Sequence, residues 1–287
     1  MELNTKRQLL KEVAVFFGVT LLLSFGIFWG PIAALKIPTV NLVEGKSGPI
    51  WAIVLFIIGG FVPSIAGILL TGIYEKKDGI KRLLKSSINY KFNIKYYLLM
   101  GAISVYCAGA LIILYEALGG KFDYTQFLIQ LPSIIPLIIL GPVSEEFGWR
   151  GFALKRLLKC VNSNLASLTV GLVWSLWHLP LFYMIGTSQY ESNLPFLTFL
   201  IIVTSSSFIY TYLFMATKKS VFSAIFYHWL NTYVLQVIST TVKRTSLYNW
   251  LEFIPSLLIG VFFAYLLHRK ERLAKVASAR IQKTLDA

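Results

Sequence analysis

Long apolar runs separated by short polar segments organise this chain. The eight runs cover about residues 13–35, 50–73, 96–118, 127–158, 165–185, 194–216, 221–238 and 250–267. An apolar run of about 18 residues or more is long enough to cross a bilayer as a helix. The pattern therefore predicts an all-α, polytopic membrane protein with about eight transmembrane helices.

The polar segments between the runs predict an orientation. Only five of the 27 Lys and Arg residues fall in the predicted outer loops, namely Lys36, Lys46, Lys121, Lys243 and Arg244. Cytoplasmic loops of membrane proteins carry the excess of Lys and Arg, so we expect both termini in the cytoplasm. Segment 74–95 is the most basic loop, and its part GIKRLLK (79–85) could lie on the membrane surface as a short amphipathic helix.

Composition supports the membrane assignment and narrows the partners. The chain is 56% hydrophobic with a mean hydropathy of +0.67. Its net charge of +14 sits between apolar runs, so we expect membrane lipid and not nucleic acid as the partner of the basic residues. The two cysteines, Cys107 and Cys160, predict no disulfide framework.

The fourth run places charged residues inside an apolar helix. Its sequence GPVSEEFGWRGFAL contains Glu145, Glu146 and Arg150. A charge at the bilayer centre costs at least roughly 2.5–3.5 kcal/mol, so such residues are usually functional. On a helix Glu146 and Arg150 share a face and can pair, whereas Glu145 points about 100° away. A stripe of small residues, Gly141, Ser144, Gly148 and Gly151, predicts close approach of a neighbouring helix.

Two later runs carry polar residues at a similar depth. The fifth contains Trp174 and His178 four residues apart, and the seventh contains His228 and Asn231 three residues apart. Counted from the inner ends of their helices, Glu145, His178 and His228 lie roughly 21, 21 and 14 Å deep. We therefore expect these residues to meet in one layer if their helices pack together.

The chemistry that this set offers is hydrolysis. A carboxylate can take a proton from water, and a His can help to hold that water. A second His and an Asn can donate hydrogen bonds to a developing oxyanion. The same side chains could also bind a divalent metal such as zinc, with Glu145, His178 and His228 as candidate ligands. The sequence leaves the metal question open, although no further Cys or carboxylate completes a closed site.

These three motifs resemble the CPBP family of intramembrane proteases, which takes in CAAX prenyl endopeptidases and bacterial bacteriocin-processing or self-immunity proteins. EEFGWR matches the Glu-Glu-x-x-x-Arg motif, WSLWH the second motif and HWLN the third. The resemblance covers about residues 127–240. It implies an intramembrane endopeptidase that hydrolyses a peptide bond in a membrane-associated protein or peptide, in a plasma membrane of prokaryotic type.

The resemblance also implies a role for each matching residue. Glu145 resembles the glutamate that activates water, with His178 beside it, while His228 and Asn231 resemble the pair that stabilises the oxyanion. Glu146, Arg150 and Trp174 resemble supporting residues. Two departures stand out: the family places Asn four residues after the His, where this chain has Thr232, and the aromatic of the second motif is often Phe.

Two other function classes stay open on the sequence. Glu145, His178 and His228 could form the relay of a proton-coupled transporter. The chain could also be a non-catalytic immunity or scaffold protein that retains the motifs. As an organisation we expect three N-terminal helices with the basic loop in residues 1–126, a catalytic core in 127–240, and an eighth helix with a basic tail in 241–287.

Overall fold

The computed structural model describes residues 3–39, 48–130 and 139–285, and the described regular structure is entirely helical. The long helices are α1 (Leu3–Ala34), α2 (Ile50–Ser87) and α3 (Ile94–Ala117), then α6 (Ser163–Trp177), α8 (Phe196–Ala216), α9 (Val221–Thr241) and α11 (Phe253–Leu285). The short ones are α4 (Tyr124–Gln130), α7 (Ser188–Glu191) and α10 (Ser246–Leu251). The chain is thus an all-α, polytopic membrane protein.

Helix α5 is the part of the predicted fourth run that the structure describes. It runs without a gap through Ile139–Val143, Ser144–Glu146, Phe147–Leu154 and Lys155–Leu157. The first and third of these segments are π-helical, and Pro142 lies in the first. Residues 131–138 of the predicted run lie outside the described residues. The π-helical turns on both sides of Glu145 are of interest because such turns occur frequently at functional sites.

Six segments within the described residues are long and apolar enough to cross a membrane: Leu3–Ala34, Ile50–Ser87, Ile94–Ala117, Ser163–Tyr183, Phe196–Ala216 and Ser246–Ala279. The two other predicted runs are the seventh and the fourth. The seventh forms the 21-residue helix α9, whose polar residues make it less apolar than the six segments, and the described part of the fourth forms α5. The predicted helical runs therefore correspond to helices wherever the structure describes them.

Several predicted boundaries were too short. Residues 3–11 belong to α1, and there Gln8 donates a hydrogen bond to Glu12, which itself binds Arg156. The predicted loop 74–95 is helical up to Ser87, with one break at Lys76 (φ 57°, ψ −159°). The basic tail after residue 267 continues α11 to Leu285. These three helices therefore continue past their apolar segments into the neighbouring polar residues.

The small-residue stripe of α5 lies at a close approach between two helices. The backbone of Gly148 lies against Gly67, the carbonyl of Pro63 and the ring of Phe16, so any side chain there would overlap with α2. This confirms the predicted close packing. Helix α5 also packs against α6 and α9, and α8 packs between α6 and α11.

One buried apolar cluster extends through most of the molecule. It includes Phe16 of α1, Met100 of α3, Trp149 of α5, Tyr210 of α8 and Phe263 of α11. Residues from all three predicted segments of the chain therefore share a core, and the polar side chains of α5, α6 and α9 converge inside it. The division at residues 126 and 240 stays a prediction.

Candidate active site

Glu145 and Glu146 are both buried, with 6% and 0% of their surfaces exposed. They are adjacent in sequence but make different contacts. Glu146 Oε1 accepts a hydrogen bond from Arg150 Nη1 at 2.8 Å, and both side chains are completely buried. Glu145 Oε2 accepts from the indole Nε1 of Trp174 at 2.5 Å. The predicted ion pair between Glu146 and Arg150 is confirmed, and so is the separate direction of Glu145.

His228 of α9 lies on the Glu146 side of the site. Its Nδ1 is 2.7 Å from Glu146 Oε1, the same oxygen that binds Arg150. Because an ionised carboxylate only accepts hydrogen bonds, the proton of this bond belongs to His228 Nδ1. The other ring nitrogen, Nε2, lies next to Gly141. Glu146 thus joins α5 to α9 and sets the orientation of the His228 ring.

The backbone of α6 holds the ring of His178, the residue that directly follows this helix. Its Nδ1 is 2.8 Å from the carbonyl oxygen of Trp174. A carbonyl oxygen accepts only, so Nδ1 donates and Nε2 is left as the acceptor of a neutral ring. Trp174 therefore orients two site residues: its indole binds Glu145, and its carbonyl binds His178. The four-residue spacing read from the sequence is what brings the carbonyl and the imidazole together.

The guanidinium of Arg150 lies beside two aromatic rings. Its central carbon is 4.1 Å from the ring centroid of Trp174 and 3.8 Å from that of Tyr210. Within the described part of the chain, its Nε and Nη2 have no hydrogen-bond acceptor. The π faces of the two rings attract the cation and replace part of its lost hydration. The buried charge is thus balanced by Glu146 and by two aromatic rings that meet edge-to-face beside the guanidinium.

Tyr210 is the site residue that sequence reasoning missed. It is 1% exposed on α8, and besides Arg150 its ring contacts Trp174, Tyr227 and His228 edge-to-face, with centroids 4.9–5.8 Å apart. The signal available was the polar stretch TSSSFIYTY inside an otherwise apolar helix. It falls in none of the three motifs, so its position beside them came only from helix packing.

A cavity of about 430 Å³ opens beside these residues. Its lining includes all four predicted catalytic residues, Glu145, His178, His228 and Asn231. A second set of polar and charged residues lines the cavity toward α10: Thr232, Ser188, Gln189, Ser192, Gln236, Ser239, Arg244, Glu252 and Ser256. Trp174 and Tyr210 line it as well. Glu146 and Arg150 are not among its lining residues, which fits their supporting positions. Asn231 and Thr232 both reach the cavity, so the structure allows either to act beside His228.

The candidate metal ligands are not assembled as a ligand set. Among the described residues, no three His, Cys, Asp or Glu side chains, Glu145, His178 and His228 included, come close enough to hold a metal ion. Trp174 Nε1 already binds Glu145, and Glu146 already binds His228. Each of these three side chains is oriented by another protein group, so the steps proposed below use protein side chains alone.

A second buried charge cluster lies near the end of α5. Arg156 Nε binds Glu12 Oε2 and its Nη2 binds Glu75 Oε1, both at 2.8 Å, and its guanidinium stacks on Phe152. Glu75 also binds Arg82 across the break at Lys76. The cluster ties α1 and α2 to α5 below the site. Sequence reasoning did not anticipate it, because its members are far apart in the chain.

One protein family and one curated protein match part of this chain. Residues 127–234 match the family described as "Type II CAAX prenyl endopeptidase Rce1-like". A curated relative, "CAAX prenyl protease 2" of Methanococcus maripaludis, is 32% identical over 166 residues, which is 54% of this chain and 60% of the relative. The alignment thus spans less than two thirds of the relative's length.

The matched residues 127–234 contain all the predicted catalytic and supporting residues and lie inside the predicted core 127–240. Both matches are described as CAAX prenyl proteases, the class that the three motifs resemble. Residues 127–234 of this chain are therefore similar to the Rce1-like CAAX prenyl endopeptidases.

Proposed function

We propose that this protein is an intramembrane endopeptidase that hydrolyses a peptide bond in a membrane-associated protein or peptide. The observation that carries the proposal is the position of Glu145, which is buried, bound by the Trp174 indole and part of a cavity wall shared with two histidines. A carboxylate in such a cavity can take a proton from a water molecule. The family match supports the same reaction.

The proposed first step uses Glu145 and His178. Glu145 removes a proton from water while the water oxygen attacks the carbonyl carbon of the scissile bond. His178 Nε2, left as an acceptor because Nδ1 binds the Trp174 carbonyl, holds the water by accepting its other proton in a hydrogen bond. Glu145 then returns the proton to the leaving nitrogen as the C–N bond breaks, so the carboxylate is regenerated.

The oxyanion is assigned to His228 and Asn231. His228 already donates from Nδ1 to Glu146, so donation from Nε2 to an oxyanion requires the doubly protonated ring. Asn231 lies almost one turn further along α9 and can donate through its amide. Donors already in place where charge develops stabilise the transition state most effectively.

We further propose that the protein resides in the plasma membrane of a prokaryote with both termini in the cytoplasm. The distribution of Lys and Arg supports this orientation. Reporter fusions after residue 287 and within the segment joining α3 to α4 distinguish the two sides. We expect the C-terminal fusion to be active only with a cytoplasmic reporter, and the opposite pattern would overturn the orientation.

The function itself is tested by cleavage of peptides by purified protein in detergent. Wild type, Glu145→Gln and a control, Glu116→Gln, are compared on a fluorogenic peptide library. Glu116 is an exposed glutamate on α3, outside the cavity. We expect cleavage by wild type and Glu116→Gln and almost none by Glu145→Gln. Cleavage that survives Glu145→Gln would exclude this residue as the base.

A further inference from the structure

The cavity extends well beyond the predicted catalytic residues, along one face of α9. His228, Asn231, Thr232, Leu235, Gln236 and Ser239 all line it. Their spacing of three and four residues places them on one side of the helix. From His228 to Ser239 the helix rises roughly 16 Å. We call this face, from His228 to Ser239, the α9 track.

The α9 track is rich in groups that bind a peptide backbone. Asn231, Thr232, Gln236 and Ser239 supply hydrogen-bond donors and acceptors, and all four side chains are only partly buried. Ser188, Gln189 and Ser192 line the same cavity from α7 and the residue that follows it. A lipid chain has no hydrogen-bonding groups along its length to satisfy these side chains. An unwound polypeptide has an N–H and a C=O at almost every residue, and these need partners inside a protein.

The far end of the α9 track is charged and fixed. Arg244 Nη1 binds Glu252 Oε1 at 2.9 Å and Asn249 Oδ1 at 2.8 Å, and both Arg244 and Glu252 line the cavity. Asn249 Nδ2 in turn binds the carbonyls of Ser192 and Asn193. These bonds hold α10 and the α7–α8 connection together at this end of the cavity. The wall here is therefore a polar end point against which a bound chain can lie.

From these observations we infer that the α9 track binds the substrate as an extended chain of about five residues on one side of the scissile bond. An extended chain advances about 3.3 Å per residue, so about five residues cover the roughly 16 Å from His228 to Ser239. An unwound chain in this position can pair its N–H and C=O groups with the side chains of the track, whereas a helical chain has already paired them within itself. The inference rests on the proposed function and adds the conformation and length of the substrate.

A peptide length series tests the inference directly. Fluorogenic peptides that wild type cleaves are shortened one residue at a time from each end. On one side of the cleaved bond, kcat/KM should rise with length up to about five residues and then level off. If residues beyond the second on either side make no difference, the track does not bind substrate, even though the chain is a protease.

Substitutions in the α9 track test which of its side chains bind the longer peptides. Gln236→Leu and Ser239→Ala should each raise KM for long peptides by about 2- to 12-fold, the effect of one lost hydrogen bond, and leave kcat and short peptides unchanged. Thr240→Val is the matched control, because the Thr240 hydroxyl bonds back to the Val237 carbonyl and does not line the cavity. Equal effects of Ser239→Ala and Thr240→Val would contradict the assignment.

A readout independent of cleavage separates this inference from the proposed function. Ser239→Cys is made in a chain carrying Cys107→Ala and Cys160→Ala, and a hydrophilic methanethiosulfonate reagent labels the new thiol. We expect labelling, and we expect the longest peptide of the series to slow it. Labelling that the peptide does not slow, or no labelling at all, would overturn the inference. If the peptide slows labelling but is not cleaved, the α9 track binds peptide and the proposed protease function is wrong.

Discussion

The guanidinium carbon of Arg150 lies 3.8 Å from the ring centroid of Tyr210, and this ring meets that of Trp174 edge-to-face. This contact links α8 to the hydrogen-bond chain in which Arg150 and His228 share one oxygen of Glu146. Tyr210 is therefore a positioning residue, since it acts on the proposed oxyanion donor through Arg150 and Glu146. The packing of an aromatic ring thereby helps to set the orientation of an imidazole.

The Arg150–Tyr210 contact predicts a difference between two substitutions. Tyr210→Phe keeps the aromatic face and should retain stability and most activity. Tyr210→Leu removes the cation–π contact, and at a desolvated site this should cost about 2 kcal/mol of stability. Thermal melting and kcat measure the two effects. Tyr212→Leu is the control, because the Tyr212 ring packs on Phe263 instead of Arg150. Equal loss in Tyr210→Phe and Tyr210→Leu would show that the hydroxyl, not the ring, matters.

The two adjacent glutamates should respond differently to the same change. Glu145→Gln keeps size and hydrogen-bonding capacity but removes the base, so this variant should fold normally and be nearly inactive. Glu146→Gln leaves the buried Arg150 without its charge partner, which typically costs about 3–5 kcal/mol. It should lower the melting temperature, and activity should fall as well because the anion beside His228 is lost. A stable but dead Glu146→Gln, paired with an unfolded Glu145→Gln, would reverse the two roles.

The contact between α2 and α5 predicts a steric effect at Gly148. Gly148→Ala places a methyl group against the Pro63 carbonyl and the Phe16 ring, and such overpacking typically costs about 1–3 kcal/mol. Gly101→Ala is the control, because Gly101 lies in α3 with open space beside its Cα. There the higher helix propensity of Ala should stabilise the helix by up to about 1 kcal/mol. Melting temperatures that fall equally for both variants would exclude the steric explanation.

The arrangement of the site predicts that activity does not depend on a bound metal. Glu145, His178 and His228 are oriented by Trp174 and Glu146 and, among the described residues, form no three-ligand set. We expect kcat/KM to be unchanged after dialysis against a strong chelator and after re-addition of zinc. Elemental analysis of the purified, active protein is the accompanying measurement. Stoichiometric zinc, with activity lost on its removal and regained on its return, would show that the site binds a metal in a different arrangement.

Hydropathy and charge spacing by themselves determined the class of fold and most of the helices. Apolar runs of this length are stable in a bilayer only as helices, because every backbone N–H and C=O must be satisfied within the segment. The same reasoning singled out Glu145, Glu146, Arg150, Trp174, His178, His228 and Asn231, since buried polar groups are costly and stand out in an apolar run. The Glu146–Arg150 pair followed from helical spacing alone, because four residues place two side chains on one face.

Only the tertiary structure decided which residues of different helices meet. The bond between His228 and Glu146, the stacking of Tyr210 on Arg150 and the cluster of Arg156 with Glu12 and Glu75 each join distant parts of the chain. Helical periodicity gives the direction of a side chain relative to its own helix, but not the rotation and depth of the neighbouring helix. Those depend on how small and large side chains interlock between helices, as at Gly148 and Gly67, and local sequence does not contain that information.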